Sequence, residues 1–152
     1  MIDAYFRATL AVLKASPIVQ SHNVTFEQRG RFAGYVRGDL FFADDSQPHF
    51  REFVNTQGGI DRFIYVYHYQ TADGKMIFRY DNSGHFPDVA THPHHKHLAD
   101  DQTVTASNAP TLADVLAEIA ALELVAALPL PRLCSSAPRP RGDSVSLLPP
   151  QK

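Results

Sequence analysis

From residue 22 to residue 82 the chain runs in short apolar and aromatic bursts separated by turn residues, and on either side the spacing becomes helical. The N-terminal stretch MIDAYFRATLAVLKASP places Phe6, Leu10 and Leu13 at helical intervals. Asp3 suits an N-cap, and Ser16-Pro17 ends the helix. The middle predicts strands near 22–30, 33–43, 48–55, 61–71 and 75–81, with turns at GRF, DDSQ, TQGG and ADGK. Those links are too short for parallel crossovers, so an antiparallel meander is expected. A second helix follows in TLADVLAEIAALELVAAL. Thr111 and Asp114 form a capping-box pattern, and Leu112, Val115, Leu116, Ile119 and Leu122 make one apolar stripe. The expected fold is α+β: about five antiparallel strands with an N-terminal and a C-terminal helix, in one domain over 1–126. Residues 127–152 are proline-rich and lack any period, which predicts a flexible tail. Arg-Gly-Asp at 141–143 is too short a match to carry an adhesion role.

The Asp73-Gly74 pair is a hairpin signal, because positive φ is needed at a tight turn. A two-residue loop would set Tyr69 opposite Phe78, Tyr67 opposite Tyr80, His68 opposite Arg79 and Val66 opposite Asp81. Alternation then gathers Tyr65, Tyr67, Tyr69, Phe78 and Tyr80 on one face. His68, Arg79 and Asp81 fall on the other, where a titratable ring, a fixed cation and a carboxylate could form a polar site. The aromatic face is expected to be core.

Composition changes this picture little. The chain has 152 residues, 44% hydrophobic and 20% charged, with a net charge of −2. No broad basic surface announces nucleic acid. Arg132, Arg139, Arg141 and Lys152 stand against Asp143 in the tail, so the main domain is the more acidic part. The single cysteine, Cys134, excludes an internal disulfide and offers no zinc-finger spacing. The N-terminus carries Asp3, Arg7 and Lys14, unlike a signal peptide, and no apolar run has the length of a membrane span. A soluble cytoplasmic protein is expected, with no membrane partner.

Histidine changes it more. Five of the eight histidines lie within 77–101, and four of them in HPHHKH at His92, His94, His95 and His97. Three readings compete. Imidazoles near their unperturbed pKa can act as base and acid in cutting RNA, with Arg79 or Lys96 meeting phosphate charge and no metal. Alternatively, the histidines bind zinc or nickel, with Asp81, Asp100 or Asp101 completing the set. Pro93 argues against the regular helix that often presents such ligands. The third reading is a polar surface loop.

The blocks YVYHYQ, DGKMIFRYDN, HPHHKH and TLADVLAEI, in this order, resemble the TumE-type toxin family of prokaryotic toxin–antitoxin modules. The resemblance spans about residues 33–122 and is most specific at Arg79, Tyr80, Asp81, Asn82 and His85 and at Pro93–His97. It implies a toxin that cleaves RNA and a cognate helix-turn-helix antitoxin as partner. Carried onto this chain, the family's polar positions are Arg79, Asp81, Asn82, His85, His95 and His97. Departures fall at Ser83-Gly84, Phe86 and His92. The expectation is a metal-independent endoribonuclease that needs no cofactor. His95 and His97 would serve as acid and base, with His85 as a substitute. Arg79 would stabilise phosphate charge, and Asp81 would orient a histidine or the arginine. His68, Asn82, His94 and Lys96 would contact substrate. The alternatives are a non-catalytic RNA- or protein-binding module and a His-ligated metalloenzyme. A homodimer is one source of the positive charge that the main domain lacks.

Overall fold

The computed structural model describes residues 1–99 and 102–126. The expected tail at 127–152 and the candidate ligands Asp100 and Asp101 lie outside them. In chain order the elements are α1 (Ile2–Ala15), β1 (Ser21–Gln28), β2 (Ala33–Phe41), β3 (His49–Asn55), β4 (Asp61–Gln70), β5 (Met76–Asp81), β6 (His95–Leu98), β7 (Val104–Ala106) and α2 (Leu112–Ala126). The strands form one antiparallel sheet in sequential order. The α+β class is as expected, but the sheet has seven strands instead of about five. The two extra strands come from the histidine segment, expected to be a loop, and from Val104–Ala106.

Both helices cover the same face of the sheet. Leu13 of α1 and Leu112, Val115, Leu116 and Ile119 of α2 share one buried cluster with Val36, Leu40, Phe50, Tyr65, Tyr67, Tyr69, Phe78 and Tyr80. Burying each large apolar side chain stabilises the fold by about 1.5–3 kcal/mol. Leu122, expected on the stripe, is exposed. Thr111 and Asp114 do cap α2: the Thr111 N–H donates to Asp114 Oδ2 at 2.8 Å, and the Asp114 N–H returns to Thr111 Oγ1 at 3.3 Å. For α1 the cap is Met1 rather than Asp3, which lies in the first turn. There its charge still suits the helix N-terminus.

Beneath the helices lies a polar network. Glu52, only 2% exposed, accepts hydrogen bonds from Tyr5 at 2.6 Å and from Tyr67. Arg62 donates to the Tyr67 hydroxyl at 2.8 Å and to the Ala109 carbonyl at 3.1 Å, tying the lead-in of α2 to β4. Glu52 is therefore a satisfied core carboxylate on the helix side, not part of a site on the other face.

The hairpin keeps the expected pairing over its functional part: Val66 opposite Asp81, Tyr67 opposite Tyr80, His68 opposite Arg79 and Tyr69 opposite Phe78. Its turn is wider than two residues. The Thr71 N–H donates to the Lys75 carbonyl, Gly74 adopts φ +81°, and Gln70 pairs with Met76. A one-residue bulge then restores the register. The bulge keeps Arg79 and Asp81 facing away from the core.

Candidate active site

Alternation across β4, β5 and β6 builds the site on the face away from the helices. Asp81 is paired with His95 and Arg79 with His97, so four polar side chains meet on two neighbouring strands. Asp81 is the hub. Its Oδ1 lies 3.0 Å from His95 Nε2 and accepts from the Ser83 backbone N–H at 3.0 Å and the Ser83 hydroxyl at 2.6 Å. Its Oδ2 accepts from Arg79 Nε at 3.0 Å and lies 3.5 Å from His97 Nε2. A second Arg79 nitrogen reaches His97 Nε2 at 3.0 Å.

These contacts fix proton positions. A guanidinium can only donate, so His97 Nε2 accepts from Arg79 and carries no proton. The Pro93 carbonyl can only accept, so His95 donates to it from Nδ1 at 2.9 Å. His95 Nε2 is then buried 3.0 Å from the carboxylate without a hydrogen bond. Burial pushes the Asp81 pKa up. The Ser83 hydroxyl and N–H, His95 and Arg79 outweigh it and hold the carboxyl below its usual range.

His95 and His97 are each 1% exposed. The ring of Phe86, from the segment between β5 and β6, packs edge-on against both, at 4.9 and 5.4 Å between centroids. Beside this covered cluster opens a cleft of about 470 Å³, lined by Arg51, Ile64, Tyr65, Val66, Arg79, Asp81, Asn82, Ser83 and His85. His85 is exposed and Arg79 is 29% exposed, so a ligand in the cleft meets an imidazole and a guanidinium directly.

The same alternation divides the HPHHKH run. His95 and His97 point to the site, whereas His94 and Lys96 point to the helix side. His94 stacks on Tyr65 at 5.8 Å between centroids and contacts its hydroxyl at 3.1 Å. Burial, with Arg62 nearby, lowers the His94 pKa. Lys96 pairs with Glu118 of α2 and lies over Phe78 and Tyr80. Burial disfavours its charge, but Glu118 and Tyr80 outweigh that and raise its pKa. Neither residue reaches the cleft as a substrate contact would require. Asn82 lines the cleft, but its side chain is engaged with β4: Oδ1 accepts from the Tyr65 N–H at 2.9 Å, and Nδ2 donates to the Phe63 carbonyl at 3.0 Å. His68 lies opposite Arg79, with its Nε2 3.1 Å from Gln70. From sequence, Ser83 and Phe86 stand out only as departures from the family pattern, and Arg51 not at all. Arg51 stands at an outward position of β3, but only the β3–β4 register sets it opposite Val66, next to Asp81.

Asp81, His95 and His97 offer ligand atoms within 4.8 Å of one another, a set that could hold a metal ion. Two donor atoms of these residues, Asp81 Oδ2 and His97 Nε2, already receive Arg79 N–H groups. The guanidinium supplies the positive charge that an ion would bring there.

An ionised carboxylate, a fixed guanidinium and imidazoles along one cleft suit a protein that acts on an anionic ligand, and the chain is that of a toxin from a toxin–antitoxin system. It belongs to the TumE family, described as Toxin TumE, whose sequence profile matches residues 9–123. That match takes in α1 and β1 as well as the blocks that carry the resemblance. The family implies an antitoxin partner. No curated protein and no solved structure matches the chain. Among the described residues no helix is long and apolar enough to cross a membrane.

Proposed function

We propose that this toxin is a metal-independent endoribonuclease acting in the cleft between Arg51 and His85. The observation that carries the reading is that Arg79 and Asp81 line the cleft, with His97 buried against the Arg79 guanidinium and His85 at the rim. Cutting RNA needs a base for the 2′-OH, an acid for the leaving 5′-oxygen and a cation for the phosphate. Arg79 and Arg51 hold the phosphate. As the Arg79 guanidinium turns onto it, His97 Nε2 is uncovered with its lone pair available and accepts the 2′-OH proton. His85, the solvent-facing imidazole, gives its proton to the leaving oxygen. The products are a cyclic phosphate and a free 5′-OH. Asp81 positions Arg79, the orienting role expected for it, and His95 supports Asp81 instead of serving as acid or base; neither touches substrate. The antitoxin expected from the resemblance, a helix-turn-helix protein, would block the cleft or its approach.

A second reading has a specific observation behind it: the buried His95 Nε2 without a hydrogen bond, within a possible ligand triad. One experiment separates the readings. Tag-free protein is incubated with labelled RNA, with and without chelator, beside His97→Ala, His85→Ala and Arg79→Ala. Cleavage that survives chelator and falls at least about 100-fold in each variant supports the acid–base reading. Cleavage lost in chelator, with stoichiometric metal in the protein, supports a metal site. A folded wild type that binds RNA without cutting it supports a binding module.

A further inference from the structure

The strand registers align side chains in rows across the open face. One row runs Thr25, Arg37, Arg51, Val66, Asp81, His95. Arg37 and Arg51 stand directly opposite one another, a like-charge pair that destabilises a sheet. Among the described residues no carboxylate forms an ion pair with either. On this row and its two neighbours the carboxylates are Glu27, Asp39 and Asp81, each engaged elsewhere. Glu27 pairs with Arg29 at 2.6 Å, Asp39 with His49 at 2.7 Å, and Asp81 with Arg79 and the histidines.

The adjoining row is aromatic. Tyr35 stacks on Phe53 with centroids 4.5 Å apart and planes 21° apart, and Phe63 follows at 5.7 Å. Tyr35 is 39% and Phe63 51% exposed, and Arg29 lies over the Tyr35 ring. A second cleft of about 300 Å³ lies here, lined by Thr25, Glu27, Arg29, Tyr35, Val36, Arg37 and Arg51. Arg51 lines both clefts, so the two are contiguous. Three strand spacings, about 14 Å, separate Asp81 from Arg37.

We infer that single-stranded RNA crosses this face from the Arg79 cleft, with its phosphates on Arg51 and Arg37 and its bases against the Tyr35–Phe53 platform. The inference names the substrate class for the ribonuclease reading above and rests on it. Cations that track a backbone beside aromatic rings that take bases are the chemistry of single-strand binding. Duplex RNA hides the base faces that the platform needs. An acidic protein segment would meet the arginines but has no use for the stacked rings.

The test measures binding and cleavage separately. Fluorescence anisotropy with an uncleavable 2′-O-methyl oligonucleotide of about eight residues is recorded for wild type, Arg37→Gln and Tyr35→Ser over a salt series. Arg37→Gln is expected to lower the slope of log Kd against log salt by about 0.7. Tyr35→Ser is expected to weaken binding at least about fivefold with the slope unchanged. A thermal melt controls for folding; Arg37→Gln should melt no lower than wild type, since it relieves like-charge repulsion. Wild-type affinity and slope in both variants would overturn the inference while leaving cleavage intact. Equal affinity for a matched duplex would also overturn it. If wild type cuts no RNA yet binds the single strand through Arg37 and Tyr35, the ribonuclease reading falls and the track remains.

Discussion

Replacing Asp81 by Asn tests the hub while preserving its shape. The amide oxygen can keep both bonds from Ser83, the short-range turn that starts the segment over the site. What is lost is the negative charge between Arg79, His95 and His97. The amide NH₂ would then face Arg79 Nε, donor against donor. A hydrogen bond to a charged partner contributes about 1.5–3 kcal/mol, and breaking a buried ion pair costs about 3–5 kcal/mol. Arg79 is 29% exposed, so solvent screens part of its interaction, whereas His95 is enclosed. The expected loss is about 2–4 kcal/mol at pH 7, or about 8–15 °C in melting temperature for a domain of this size. Urea unfolding of both proteins at several pH values is the assay. The folded-state pKa of Asp81 is depressed, so its contribution is fully present above the ordinary carboxylate value near 4. It is lost as pH falls through the lower folded value. The gap between wild type and Asp81→Asn should therefore persist from neutrality down to about pH 5 and shrink below about pH 4. A variant as stable as wild type at pH 7 would refute the account of Asp81 as a charged hub.

Other parts of the structure carry their own tests. Lys96→Met removes the pair with Glu118 but keeps the stem over Phe78 and Tyr80; melting temperature should fall while RNA cleavage stays within about twofold of wild type, and a large loss of cleavage would return Lys96 to the site. Gly38→Ala would set a Cβ 2.7 Å from Val24 Cγ2 and 2.9 Å from Phe50 Cε1, so denaturant unfolding should show a loss of about 1–3 kcal/mol. His94 has a depressed folded pKa, so its neutral form contributes stability above the unfolded value of about 6.5, and this is lost as pH falls through the folded pKa. His94→Gln should flatten the decline in stability on acidification from about pH 7 to 5, which melting curves at each pH will record.

The local signals in the sequence determined much of this protein. Period-two alternation and turn residues placed five strands within a few residues of their ends, and the reciprocal Thr111–Asp114 cap marked the start of α2. The Asp73-Gly74 turn implied that His68, Arg79 and Asp81 share a face, because a hairpin register depends on nearby residues alone. HPHHKH gave no comparable signal: it lacks β-branched residues and contains Pro93. It becomes a strand at His95–Leu98 because β5 offers a free edge and, at this register, seats the two imidazoles against Asp81 and Arg79. That pairing spans some fourteen residues of chain, and one step of register decides everything: His95 and His97 face Asp81 and Arg79, while His94 and Lys96 face the helices. Arg51 and Arg37 join the site's row through contacts more distant still, across β3 and β2. Sequence determined which residues could do chemistry, because composition and alternation are local. Tertiary structure decided which of them meet, and which are buried, because cross-strand register and covering by Phe86 depend on residues far apart in the chain.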